Sequence, residues 1–82
     1  MKNTIIVIDS NEQCEAVQKK LFKMGIFWSS GCKEVQNQLA DILLVDDLNN
    51  KPQAISYRAR LPKDWQQGYL RNHVIVNAKD FL

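Results

Sequence analysis

The sequence predicts an α+β fold, one main helix packed on a small mixed or antiparallel sheet in the order β-α-β-β-β-(short α)-β. Three observations carry this. Two short unbroken apolar runs, Ile5-Ile6-Val7-Ile8 and Ile42-Leu43-Leu44-Val45, read as strands covered on both faces. Between them Cys14, Val17, Leu21 and Met24 recur at helical spacing. Further on, Ile55, Tyr57, Ala59 and Leu61 alternate with Ser56, Arg58 and Arg60, the period of two of a half-exposed strand.

The elements follow in order. Asp9-Ser10-Asn11 ends the first strand, and Ser10 with Gln13 three residues later has the spacing of a capping box, so the helix begins there. Gly25 stops it. Ile26 to Gly31 reads as an aromatic-rich strand closed by a glycine, and 31–38 as a polar loop. Asp46-Asp47 halts the second buried strand, and Asn49-Asn50-Lys51-Pro52 supplies a turn. The alternating strand lies between Pro52 and Pro62, which suits the edge or end of a sheet. Pro62 opens a short helix or structured loop to about Arg71. His73-Val74-Ile75-Val76 is the last strand, whose parallel pairing with the first is one arrangement that the sequence leaves open, and Asn77 to Leu82 forms a final turn whose Phe81 and Leu82 pack back.

With 82 residues, 45% of them apolar, the chain is expected to be a single domain over 1–82 that buries about 60–65% of its unfolded surface. It has neither an apolar stretch long enough to span a bilayer nor a leader-like start, so a cytoplasmic protein is expected. Cys14 and Cys32 are expected to be reduced thiols.

Charge divides the chain. From residue 48 onward six cations (Lys51, Arg58, Arg60, Lys63, Arg71, Lys79) face two anions, net +4, while residues 1–47 sum to −2. Such a split marks a polyanion-binding face. On one strand Arg58 and Arg60 would leave the same face about 6.6–7 Å apart, a spacing suited to neighbouring phosphates. Lys51, Lys63 and Arg71 flank them, and Trp65 and Tyr69, four apart, either pack their loop down or stack on bases. Tyr57 and Trp28 read more readily as core than as stacking surfaces. The expected ligand is RNA, single-stranded rather than duplex.

Catalytic patterns are lacking. The sequence has no phosphate-cradling glycine loop and no nucleophile elbow, and the single histidine, His73, has no partner evident in the sequence. With Tyr57 and the arginines, His73 would make at most half of a metal-free ribonuclease site. Asp9, Asp46 and Asp47 would form a magnesium site only if the two buried strands ended on one edge, and read first as turn and cap residues. No cofactor and no metal are expected.

The stretch Gly25-Ile26-Phe27-Trp28-Ser29-Ser30-Gly31, the strand with an aspartate exit and the closing Asp80-Phe81-Leu82 resemble small early proteins of tailed bacteriophages. Within that group, size and the basic half are similar to the phage-encoded RNA-binding inhibitors of ribonuclease-type toxin–antitoxin systems. That resemblance implies RNA binding, homo-oligomerisation and capture of a ribonuclease toxin or other host defence protein. The reading is therefore a non-enzymatic RNA-binding protein acting by sequestration, with Arg58, Arg60, Lys63, Arg71 and Lys51 on phosphates and Trp65 and Tyr69 as stacking groups. Its alternative is a protein-binding inhibitor that uses the exposed edge strand and no nucleic acid.

Overall fold

A computed structural model describes residues 2–36, 39–48, 51–69 and 72–82. The elements are β1 (Thr4–Val7), α1 (Asn11–Lys23), β2 (Phe27–Trp28), β3 (Ile42–Leu48), β4 (Lys51–Arg58), a 3₁₀ turn (Trp65–Gly68), β5 (Val74–Asn77) and α2 (Ala78–Phe81). The fold is α+β in the expected order, with a five-stranded mixed sheet arranged β2-β4-β3-β1-β5. β1 pairs antiparallel with β3 and parallel with β5, β3 pairs antiparallel with β4, and β2 pairs parallel with β4.

The apolar runs are buried on both faces. Ile6, Leu43, Val45 and Ile55 join Cys14, Val17 and Leu21 of α1 in one cluster. Ile5, Ile42 and Leu44 face the other way, under Leu61, Trp65 and Tyr69. Two crossover connections make these covers. β1 reaches the parallel β2 through α1, and β4 reaches the parallel β5 through 59–73. They run in opposite directions across the sheet and on opposite faces, so they share one hand, as the strong right-handed preference of parallel crossovers demands.

The helix begins and ends as its sequence dictates. Ser10 Oγ accepts the Gln13 N–H, while Gln13 Oε1 accepts the N–H of Asp9, one residue before the cap. At the other end Gly25, at φ 83°, allows the Ile26 N–H to reach the Leu21 carbonyl and its own N–H to reach Phe22. Met24, on the expected apolar stripe, is half exposed because the helix has already left the sheet there.

Gln18 is wholly buried within α1. Its Oε1 accepts the Trp28 indole N–H at 3.1 Å and the Gln36 N–H at 2.7 Å, while Nε2 donates to the Gln36 carbonyl at 2.6 Å and to Cys14 Sγ at 3.3 Å. The orientation of the amide is settled by its partners, because an indole N–H and a backbone N–H can only donate. Burial pushes the Cys14 thiol above its ordinary value, partly offset by the Gln18 bond, and it stays protonated at neutral pH. Neither Cys14 nor Cys32 is in a disulfide.

Several expected boundaries move. The aromatic strand shortens to Phe27–Trp28, and β3 runs through Asp46 and Asp47 to Leu48 with a register shift in place of a stop. Lys51 and Pro52 belong to β4, and residues 49 and 50 of the expected turn lie outside the described residues. β4 is no edge strand, because β2 pairs with it at Ala54 and Ile55. Phe81 packs on the core, but Leu82 is half exposed beyond it.

Truncation of Leu21 or Leu44 to alanine, one on each side of the sheet, is expected to cost about 2–5 kcal/mol in urea unfolding, against less than about 0.5 kcal/mol for Lys19→Ala. Gln18→Leu keeps the bulk but strands the Trp28 N–H and both Gln36 backbone groups, so a loss of at least about 2 kcal/mol is expected despite the more apolar side chain. A neutral or stabilised Gln18→Leu protein would show that the buried amide is dispensable.

Candidate nucleic-acid interface

Three connections meet at the end of the sheet where β1 and β4 finish and β3 begins: 8–10 into α1, 29–41 into β3, and 59–63 out of β4. The chain leaving β1 turns to the α1 face and the chain leaving β4 turns to the opposite face. Between two exits of this kind an open sheet forms a crevice, the usual place for a ligand in α/β folds. Here the crevice is a hollow of about 330 Å³ lined by Val7, Ile8, Asp41, Ile42, Leu61, Pro62, Lys63 and Trp65. A second hollow of about 160 Å³, sharing Ile8 and Asp41, extends over Asp9, Ser10 and Asn11 at the start of α1.

Asp41 organises this end. Its carbonyl accepts the Ile8 N–H at 2.9 Å, its N–H donates to the Arg58 carbonyl at 3.0 Å, and its Oδ2 accepts the Arg60 N–H at 2.8 Å. One residue thus ties β1 to β4 and clamps the turn that follows β4. Arg60 sits in the left-handed region at φ 55°, which a non-glycine residue adopts only when its surroundings compel it.

That turn overturns part of the expected cation pattern. β4 ends at Arg58, so Arg58 and Arg60 do not share a strand face, and the alternation breaks between Ile55 and Leu61, which pack on opposite sides of the sheet. Arg58, Arg60 and Lys63 are nonetheless gathered at the crevice end and exposed, and among the described residues none of their side chains meets a carboxylate. Arg58 Nη1 donates to the Tyr57 carbonyl at 2.8 Å. Lys51 opens β4 and is therefore about 23 Å from Arg58 along the strand. Arg71 lies outside the described residues.

The aromatics divide likewise. Trp65 forms a wall of the crevice and packs on the Ile5, Ile42 and Leu44 cluster. Tyr69, edge-on to Trp65, belongs to the same cluster but turns toward His73, with ring centroids 5.4 Å apart. Tyr57 is 42% exposed and edge-on to the buried Trp28.

The partner of His73, invisible in the sequence, is Asp46: Nε2 and Oδ1 are 2.6 Å apart across β1. The register carries both residues to the end of the sheet opposite the crevice, where they fasten the incoming 59–73 connection. His73 Nδ1 is buried and has no hydrogen-bond partner among the described residues, so neither ring nitrogen is presented to a substrate. The magnesium grouping does not assemble, because antiparallel pairing of β1 and β3 sends Asp9 and Asp46-Asp47 to opposite ends. No cluster of three metal-ligating side chains occurs among the described residues, and no described helix is long and apolar enough to cross a membrane.

Asp41→Ala should cost about 1–2 kcal/mol by releasing the Arg60 N–H. Arg60→Gly should leave stability within about 0.5 kcal/mol of the parent or raise it, since glycine adopts the left-handed conformation freely, whereas glycine at Arg58 in β4 should cost roughly 1 kcal/mol. Equal losses at 58 and 60 in chemical denaturation would contradict the turn described.

No family model, curated protein or solved structure matches this chain, and its candidate site stands on geometry alone.

Proposed function

We propose that the chain is a non-enzymatic RNA-binding protein that holds single-stranded RNA on the rim formed by Arg58, Arg60 and Lys63 and acts by sequestration. The observation that carries this is the convergence of three exposed cations at one end of the sheet, on a backbone pinned by Asp41 and free of carboxylate partners among the described residues. Charges held on fixed backbone and open to solvent suit phosphates, which reward position and sign more than shape. Trp65, which shares the crevice wall with Lys63, is the aromatic surface within reach of the rim. Tyr69 and Lys51 belong elsewhere in the fold and are not assigned to the same contact.

The alternative, capture of a protein by strand addition along β4, has less support. β2 already covers Ala54 and Ile55, and the Arg58 guanidinium occupies the Tyr57 carbonyl beyond them. Sequestration is also the action implied by the resemblance to phage inhibitors of toxin–antitoxin systems. A ribonuclease toxin reached through RNA would be lost from a pull-down after nuclease treatment, whereas a toxin bound directly would remain.

In gel-shift titrations with short single-stranded RNA, the Arg58→Gln/Arg60→Gln/Lys63→Gln variant should bind more weakly to every sequence. Its plot of log affinity against log salt should flatten by about 2 units, at roughly 0.7 per lost phosphate contact. Circular dichroism must show the variant folded. Wild-type protein that shifts no RNA at low salt would end the proposal.

A further inference from the structure

β5 forms the outer edge of the sheet beside β1, and the backbone groups it leaves unpaired form a self-complementary set. The Val74 N–H donates to the Asn3 carbonyl at 2.9 Å, which fixes the side of the strand that faces β1. Successive residues of a strand turn their backbone groups to alternate sides, so Val74 and Val76 bond to β1 while His73, Ile75 and Asn77 face outward. Two of those outward groups are already used. The His73 N–H donates to the Tyr69 carbonyl at 3.0 Å, and Asn77 caps α2, its carbonyl accepting the first helical bond. Among the described residues, no partner is found for the N–H and carbonyl of Ile75, the N–H of Asn77 or the carbonyl of His73.

We propose that β5 pairs antiparallel with β5 of a second copy of this chain, about a two-fold axis at Ile75, joining the two sheets into one. Centring the pair on Ile75 sets Ile75 opposite Ile75 and His73 opposite Asn77. The bonds this requires are a reciprocal pair between the two Ile75 residues and, on each side, the Asn77 N–H to the His73 carbonyl. These are the groups left over, and the two that the pairing does not need are the two satisfied internally.

The side chains agree with the backbone. Residues 73–77 contain no lysine, proline or carboxylate, the usual guards of an exposed edge. Val74, 44% exposed, would lie in a close non-hydrogen-bonded position against Val76 of the second copy, giving two apolar pairs related by the axis. The other edge of the sheet cannot serve in the same way, because β2 is only two residues long. The pairing leaves the Arg58, Arg60 and Lys63 rim uncovered, so it does not depend on what that rim binds.

Sedimentation velocity on the full chain, after nuclease treatment and in high salt to strip nucleic acid, tests this. The mass should rise with concentration from 9.5 kDa toward twice that value. Val74→Lys should weaken the association roughly tenfold or more, while leaving the melting of dilute monomer unchanged. Amide exchange on the wild type is a second readout that needs no variant: the Ile75 and Asn77 N–H groups should exchange more slowly as concentration rises. A monomer up to about 1 mM, a dimer indifferent to Val74→Lys, or Ile75 exchange independent of concentration would each overturn the proposal. An extended segment of another protein on this edge would show itself as a monomer alone that gains Ile75 protection only on adding that partner.

Discussion

The architecture turns on one constraint: β1 and β3 are apolar on both faces, and among the described residues a single helix of more than one turn is there to cover them. α1 takes one face. The opposite face falls to the connection from β4 to β5, which has to cross β3 and β1 in any case to place β5 parallel to β1. Leu61, Trp65 and Tyr69 are spaced through that connection so that each reaches the sheet, and the His73–Asp46 bond fastens its far end. Burying three large side chains is worth several kcal/mol, comparable with the total stability of a domain this small. The aromatic-rich basic segment is therefore first a lid on the core, and any ligand contact has to use what the lid leaves exposed.

That division explains why the cations and the aromatics separate. The described cations of the 59–73 connection, Arg60 and Lys63, sit where the chain turns, at its exposed start, whereas the rings lie under the chain. At the crevice, Lys63 and Trp65 of this connection remain adjacent and share a wall. A nucleic-acid interface here would be a rim with one flanking aromatic surface, unlike a sheet face studded with stacking rings. Its affinity would come chiefly from phosphate contacts and would be strongly salt-dependent.

Most of the fold was legible because its signals are local. The capping pair Ser10 and Gln13, the Gly25 stop and the two unbroken apolar runs each state a backbone preference within a few residues, and tertiary packing agrees with all of them. What was not legible depends on residues far apart in sequence. Alternation from Ile55 to Leu61 continues on paper through Arg60, but the Asp41 carboxylate, nineteen residues earlier, holds Arg60 in a left-handed turn and reverses the faces beyond it. Asp46 reads as a strand terminator until the register sets it across β1 from His73. Gln18 looks like an interruption of the apolar stripe, because its partners on β2 and in the 29–41 connection cannot be identified from the helix alone.

Gln18 also links the core to the candidate site. Among the described residues of the long connection from β2 to β3, Cys32 and Ala40 are the apolar anchors that reach the main cluster. Pairing both backbone groups of Gln36 with one side-chain amide holds that connection as a short rung of β-sheet would, and the same amide orients Trp28 at the edge of the sheet. Every hydrogen-bonding site of the Gln18 side chain is used, which is the condition under which a buried polar group adds specificity at little cost in stability. The connection then delivers Asp41 to the start of β3, and Asp41 sets the turn that presents Arg60 and Lys63.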